Sequence, residues 1–343
     1  MTGDESRNFF EDLLFNSAYF KGTAKTSEEL SESYARAISG FTLLFGNDFY
    51  KMLEYDQKAP HHDRNLWSHT LKFISSIPSY GKTYNISPEE LKLLTIVGFF
   101  HDFGKPDTMT IKRYNNVPLL PDNHPARKFQ TPTENGLSDV EVHSFGGHAE
   151  KSRILTMRFM RLLNYPIEES NRIEFLVAHH DDFMRIRTVD EASIANMAEK
   201  VNHLIQDAME CKYNLTARDL QLMILIGKCD SAAQAEYVYE FDKDKNSFPP
   251  QDQPSDSLKR KINTYDEIER HFPQILQATD DLIISQYQDT LSFGIEKATG
   301  IATTTNNSTQ LFGDRMNVLH TIQNEFRLFN NQSLEEPTEP SLE

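Results

Sequence analysis

Cysteine is nearly missing from these 343 residues: only Cys211 and Cys229 occur, with no CxxC pair and no disulfide framework, the usage of a reducing compartment. No apolar run approaches the ~20 residues that span a bilayer. The N-terminus, Met1-Thr-Gly-Asp-Glu-Ser-Arg, lacks a basic stretch followed by an apolar one, so no signal peptide is expected. The expectation is a cytoplasmic protein with no membrane partner. Positive charge is also scarce, with 35 Lys and Arg against 51 Asp and Glu, a net charge of −16. Non-specific nucleic-acid affinity rests on neutralising phosphates, so an extended nucleic-acid surface is excluded. A small basic pocket is not excluded, because part of the deficit lies in the tail Glu335-Glu336-Pro-Thr-Glu339. Glycine-rich phosphate loops, internal repeats and coiled-coil heptads are absent as well.

Helix signals fill most of the chain. Thr26-Ser-Glu-Glu29 reads as a capping box ahead of an amphipathic stretch to about Phe45. Asp63 to Ile77 places Leu66, Phe73, Ile74 and Ile77 on one stripe, and His69 sits on it. Ser87-Pro-Glu-Glu90 combines an N-cap Ser, a Pro in the first turn and a Glu three residues on, and opens a helix ending at His101-Asp102. Further helices are expected over Gly147–Leu163, Pro166–His180, after Thr188-Val-Asp-Glu191, from Thr216-Ala-Arg-Asp219 to Tyr239, and over Tyr265–Lys297. Residues 107–146 hold no long helical pattern and read as one irregular insertion, with a short hairpin around Asn115-Asn116 that Pro118 weakens. Asn246–Asp256 reads as a linker, Thr303–Gln310 as a polar loop, Asp314–Phe329 as a last short helix, and residues 331–343 as a disordered tail. The fold class predicted is all-α, with an N-terminal helical extension over 1–60, a main domain over 61–245 and a C-terminal helical region over 257–330.

Chemistry concentrates where helices stop. In Thr95-Ile-Val-Gly-Phe-Phe-His-Asp-Phe-Gly-Lys-Pro, two metal-type ligands, His101 and Asp102, follow an apolar helical run, with Lys105 three residues later. Both side chains are costly to desolvate unless something compensates them, and a cation is the natural compensation. Four more positions share that character. His69 lies on an apolar helix face. His148 starts a helix after Gly146-Gly147. His179-His180 end one after Phe175-Leu-Val-Ala. Asp230 faces the apolar side that carries Ile226 and Gly227. Imidazole nitrogens and carboxylates suit Zn, Mn, Fe, Ni or Co, or Mg with waters. His69, His101, Asp102 and Asp230 suffice for one divalent ion; His148 with His179 or His180 offers a second site, and a metal-activated water between them would be a nucleophile. Lys105, with a helper such as Arg153, could neutralise a phosphate oxygen.

Each residue also has a plainer reading. A lone core histidine is more often hydrogen-bonded structure than a ligand. Asp230 could pair with Lys228 or a tyrosine hydroxyl, and Asp181-Asp182 suit a solvated helix end. His61, His62 and His124 lie in loop-like sequence, and His143, His203, His271 and His320 have no comparable context. What weighs against the plain readings is the joint order His, His-Asp, His, His-His, Asp, each on an apolar face or a helix end.

That order resembles the HD-domain phosphohydrolase superfamily over about residues 62–239, and most closely the HD domain of bacterial tRNA nucleotidyltransferases (CCA-adding enzymes). The stretches that carry the resemblance are Asn65-Leu-Trp-Ser-His69-Thr-Leu, Phe100-His101-Asp102-Phe-Gly-Lys105-Pro-Asp-Thr108, Phe145-Gly-Gly-His148-Ala-Glu, Leu176-Val-Ala-His179-His180-Asp and Leu225-Ile-Gly-Lys-Cys-Asp230-Ser-Ala. The resemblance implies a helical bundle with His69, His101, Asp102 and Asp230 as ligands of a first metal. His148 and one of His179 and His180 would be the additional ligands found in some branches. It also implies hydrolysis of phosphomonoesters or phosphodiesters. Two departures narrow it. Only about 60 residues precede the motif, with no nucleotidyltransferase head, so CCA addition is not expected. The insertion over 107–146 is longer than in the simplest members, so substrate preference does not transfer. Asp-Asp-Phe-Met follows His179-His180 where a cyclic-di-GMP phosphodiesterase has Gly-Tyr-Pro, which disfavours that branch.

The leading expectation is a metal-dependent phosphohydrolase acting on a nucleotide or short nucleic-acid terminus, with one or two divalent ions, Asp102 and Lys105 in catalytic roles, and residues 107–146 as a pocket wall or lid. A catalytically silent nucleotide- or RNA-end-binding module, regulatory in role, is one alternative. A structural helical protein stapled by its metal is another. The apolar positions Ile268, Phe272, Ile275, Leu276, Leu282 and Ile283 suit capping the catalytic core or packing in a homo-oligomer rather than holding a cofactor.

Overall fold

A computed structural model describes residues 1–58, 65–183, 189–234, 254–297 and 302–332. His61, His62, Asp63, Thr188, residues 235–253 and the tail from 333 lie outside the described residues. The chain begins with a capping box that the sequence reading passed over. Thr2 Oγ1 accepts from Glu5 N at 3.3 Å while the Glu5 carboxylate accepts from Thr2 N at 2.7 Å, and α1 (Gly3–Glu11) follows. After a π-helical turn and α2 (Ala18–Lys21), Thr26 caps α3 (Ser27–Phe45), its hydroxyl accepting from Glu29 N at 3.1 Å. The Glu29 carboxylate turns to Lys25 N instead of Thr26 N, so the expected box is half formed. The next helices are α4 (Asn47–Leu53), α5 (Leu66–Gly81), capped by Asn65, and α6 (Pro88–Phe100), which has both halves of the Ser87–Glu90 box.

After α7 (Lys105–Thr108), the segment expected to be irregular is an ordered antiparallel sheet of β1 (Thr110–Pro118), β2 (Gln130–Pro132) and β3 (Leu137–Ser144), in the order β1-β3-β2. The hairpin expected around Asn115-Asn116 does not form. Those residues bulge out of a single strand, between the pairs Tyr114–Val140 and Val117–Ser138, with Asn116 at φ 58°. Pro118 is tolerated because it ends an edge strand. Val117, Ala126, Phe129, Val140 and Val142 give the sheet its own small core. The β1–β3 pairing is long-range, so local periodicity does not reveal it.

The chain continues through α8 (His148–Leu162), α9 (Ile167–Ala178), α10 (Glu191–Glu210) and α11 (Ala217–Ala233). It ends with α12 (Pro254–Arg270), α13 (Phe272–Lys297) and α14 (Ala302–Gln332). Three expectations are corrected here. Pro254–Asp256 begin a helix and are not linker, since Pro is well tolerated in a first turn. The stretch Tyr265–Lys297 is broken at His271: Pro273 has no N–H to continue the hydrogen-bond ladder of α12, and it sits instead in the first turn of α13, where that N–H is not needed. Thr303–Gln310 are helical: Thr, Asn and Ser weaken a helix by tenths of a kcal/mol each, up to about 0.7, and no Pro or Gly interrupts residues 302–312.

The fold is all-α apart from the small sheet. It divides into two compact units, Met1–Asp181 with Leu225–Ile262, and Asp182–Ile224 with Asn263–Glu343. In the first, α6 is buried on all sides from Leu93 to Phe100, as its uniformly apolar sequence requires. The Phe99 ring lies 4.8 Å from Phe41, 5.4 Å from Phe10, 6.1 Å from Phe49 and 6.1 Å from Trp67, so residues 1–58 pack on the helix that carries the His-Asp pair. Gly98 lets α5 come close, since a Cβ there would lie 2.5 Å from the Phe73 ring. That approach brings His69 to His101. In the second unit, Ile268, Phe272, Ile275, Leu276 and Ile283 are buried among residues such as Leu204, Ile205, Leu319 and Phe326, so they form an internal core. No helix among the described residues is long and apolar enough to cross a membrane.

Candidate metal centre

Six ligand-type side chains converge in the first unit. His69 comes from the buried face of α5 and His101 caps α6, with Asp102 beside it. His148 is the first residue of α8, His180 lies two residues past the end of α9, and Asp230 stands near the end of α11. His69, His101, Asp102 and Asp230 form one group and Asp102, His148 and His180 a second; within each group the ligand atoms lie within 4.8 Å of one another.

The orientation of the imidazoles decides what the groups can do. His69 Nδ1 donates to Ala233 O (3.0 Å), His101 Nδ1 to Gly98 O (2.8 Å), His148 Nδ1 to Phe145 O (2.9 Å) and His180 Nδ1 to Val177 O (2.8 Å). A carbonyl only accepts, so each Nδ1 carries a proton and each neutral ring presents a bare lone pair at Nε2. Those lone pairs face one another: His69 Nε2 and His101 Nε2 are 3.1 Å apart, as are His148 Nε2 and His180 Nε2. Two lone pairs at that distance repel unless a proton or a metal cation lies between them.

The carboxylates complete the pattern. Asp102 Oδ2 stands 3.1 Å from His69 Nε2 and 3.2 Å from His101 Nε2, while its Oδ1 stands 3.3 Å from His148 Nε2 and 3.8 Å from His180 Nε2. Asp230 Oδ1 is 2.9 Å from His69 Nε2 and 3.7 Å from His101 Nε2. Both Asp102 oxygens and Asp230 Oδ1 are buried without a properly aligned hydrogen bond, although Lys105 Nζ lies 2.6 Å from Asp102 Oδ2. Buried carboxylate oxygens left in this state are the mark of an ion's place. One carboxylate thus turns one oxygen toward each group.

Burial alone would raise both carboxyls. The charges of His101 and Lys105 hold Asp102 well below the usual range, and contact with His101 and His69 does the same for Asp230. Burial lowers His101, but the neighbouring Asp102 and Asp230 carboxylates outweigh it and raise the imidazole to about 9. Burial, aided by the charges of His148 and His101, keeps His180 below its ordinary value. Without metal, the His101 contribution to stability is complete below the ordinary imidazole value and is lost as pH rises through about 9. The carboxylate contributions are present above the ordinary carboxylate range and lost in acid. Metal has the opposite dependence, because it must expel the His101 proton. The dissociation constant for Mn²⁺, measured by calorimetric titration, should therefore fall roughly tenfold per pH unit between pH 7 and 9 and level off above; a pH-independent constant would contradict this arrangement.

The remaining expected residues are placed as follows. His179 packs on Phe175, with ring centroids 4.5 Å apart, and belongs to neither group; His180 is the one turned to the centre. Lys228 Nζ donates to Tyr84 Oη at 2.7 Å, while Asp230 Oδ1 faces His69 and His101. Arg153 is paired with Glu150 at 2.6 Å. His124 Nδ1 accepts from Ala126 N, and His271 Nδ1 donates to Glu267 O, both local contacts. Three further side chains take part. Gln57 Oε1 accepts from Lys105 Nζ at 3.0 Å, Ser152 Oγ accepts from Gly104 N at 2.9 Å, and the Phe145 ring lies 5.5 Å from Lys105 Nζ. Phe145 stood in a motif; Gln57 and Ser152 carry no local signal. No family model, curated protein or solved structure matches this chain. The class that fold and site define is an all-α protein with a buried His/Asp cluster fit to hold a metal ion.

Proposed function

We propose that this chain is a metal-dependent phosphohydrolase, of the HD-domain type that its motifs resemble, acting on a nucleotide or a short nucleic-acid terminus. The observation that carries the reading is the shared carboxylate: Asp102 turns Oδ2 to one ligand group and Oδ1 to the other, an arrangement that suits two divalent ions side by side. The imidazole-rich donor set favours Mn, Fe, Co, Ni or Zn over Mg. Bound there, the ions would activate a water and offset charge on phosphoryl oxygens. Asp102 would supply one oxygen to each ligand group. Lys105 keeps a fixed positive charge at the edge of the cluster, where its effect is strong because water is largely excluded. His148, the least buried of the six ligands, marks the side from which substrate arrives. The sheet of residues 110–144 leads directly into Phe145, whose carbonyl orients His148 and whose ring lies near Lys105, which supports the wall role for that segment.

A second reading rests on burial. His69, His101, Asp102 and Asp230 are at most 4% exposed, which also suits a metal that staples the fold. Metal analysis of the protein purified without a histidine tag, with a hydrolysis screen, separates the two. The screen covers bis-p-nitrophenyl phosphate, mononucleotides, 2′,3′-cyclic nucleotides and deoxynucleoside triphosphates with added Mn, Co, Ni or Mg. Bound metal with metal-stimulated turnover is expected. Tightly held metal without turnover on any substrate would favour the staple, and absence of metal binding would overturn the site.

A further inference from the structure

Lys105 raises a question of control. Its ammonium sits 2.6 Å from Asp102 Oδ2, and a Lys side chain, with four rotatable bonds, does not hold such a position unaided. The structure supplies the holder. Gln57 follows α4, is fully buried, and accepts a hydrogen bond from Lys105 Nζ through Oε1 at 3.0 Å. Its own segment is anchored on both sides. Tyr55 O accepts from Leu66 N at 3.0 Å, Asp56 pairs with Asn65 as an isolated antiparallel bridge, and Lys58 O accepts from His143 N at 2.9 Å. Gln57 is therefore presented by a braced piece of backbone.

We infer that Gln57 is a positioning residue for the metal centre: by fixing Lys105 against Oδ2 it holds Asp102 in the bridging pose, with Oδ1 turned to His148 and His180. The inference rests on the two-ion reading above and goes beyond it, because it assigns the control of one ion to a residue that touches none. The two ion places depend on Asp102 unequally. The first keeps His69, His101 and Asp230 if Asp102 rotates, whereas the second loses its only carboxylate and keeps two imidazoles. Outer contacts of this kind are worth about 10- to 100-fold in metal affinity. The loss on disturbing Gln57 falls on the second ion alone.

The test is calorimetric titration of the full chain with Mn²⁺, with thermal melting as a fold control. Gln57→Met keeps volume and burial but removes the acceptor oxygen. It is expected to weaken the second binding event about 10- to 100-fold and leave the first within about threefold. Gln57→Glu restores an acceptor oxygen at the same reach and is expected to restore the second event, which a merely structural role for the amide would not do. In a Lys105→Met background, adding Gln57→Met is expected to change nothing further, since Gln57 acts through Lys105. That pair keeps the test decisive if the single Met variant folds poorly. Two events of unchanged affinity in Gln57→Met, or failure of Gln57→Glu to rescue, would overturn the inference while the metal centre stands. A wild-type chain that binds no Mn²⁺, Co²⁺ or Zn²⁺ would overturn the metal centre, and Gln57's role with it.

Discussion

On the phosphohydrolase reading, the Asp102→Asn protein is expected to lose the second divalent ion, to hold the first more weakly, and to lose at least ~10³-fold in kcat/KM, a loss of about 4 kcal/mol in transition-state stabilisation. The substitution keeps the shape of the side chain and removes its charge. No other residue serves both ligand groups: Oδ2 stands among His69 and His101, and Oδ1 faces His148. An amide nitrogen in place of either oxygen points donors at a cation. The protein should still fold, though less stably. Removing one partner of a buried ion pair costs about 3–5 kcal/mol when the other stays charged. Here that cost is partly relieved, because His101 is raised chiefly by Asp102 and can shed its proton when the carboxylate is gone. Metal content by plasma mass spectrometry, turnover and melting temperature together check the claim. Retention of two ions with full turnover would show that Asp102 is not the bridge.

A methyl group added at Gly104 is expected to be nearly as damaging, although Gly104 touches no metal position. Its backbone is ordinary, with φ −78°, so the constraint is space and not conformation. A Cβ there would lie 2.4 Å from His148 O, 2.6 Å from Ser152 N and 2.8 Å from Lys151 Cβ; two of these are backbone atoms of α8, which cannot swing aside. The turn after Asp102 and the first turn of α8 therefore touch backbone to backbone, joined by the hydrogen bond from Gly104 N to Ser152 Oγ. Gly104→Ala must push α8 outward and carry His148 away from Asp102 Oδ1. Overpacking of this kind costs about 1–3 kcal/mol, which for a chain of 343 residues lowers the melting temperature by roughly 1–4 °C. Mn²⁺ titration should show the second event weakened at least tenfold and the first retained. A variant that melts like wild type and binds both ions would mean that this contact does not set the place of His148.

The ligand types were legible in the sequence for a specific reason. Three of the four imidazoles, those of His101, His148 and His180, hydrogen-bond to the carbonyl three residues earlier, those of Gly98, Phe145 and Val177. Gly98 and Val177 stand in the last turn of a helix, where carbonyls lack an intrahelical partner. Phe145 O takes both His148 N and His148 Nδ1 in the turn before α8, so the helix ends and turn that mark these residues also orient them. The choice between His179 and His180 was not legible. Adjacent residues at a helix end point in different directions, and in the structure His180 turns inward with its Nδ1 on Val177 O while His179 packs on Phe175. In the sheet, β1 pairs with β3 across about twenty to thirty-five residues, which local periodicity does not record, and the β2–β3 hairpin is too short on the β2 side to show an alternating pattern. Thr303–Gln310 resemble a loop in their polar composition, but that composition does not forbid a helix.

By itself the sequence determined the helical class, through its caps and apolar stripes, and it placed ligand-type residues at helix ends, because both properties are local. Only the tertiary structure decided that His69 and Asp230, from helices 161 residues apart in numbering, meet at 2.9 Å, that one carboxylate turns an oxygen to each ligand group, and that Gln57 holds Lys105 in place. Those facts depend on how closely α5, α6 and α8 approach, which is set by where a glycine leaves room for a neighbouring side chain or backbone, and no local pattern records that.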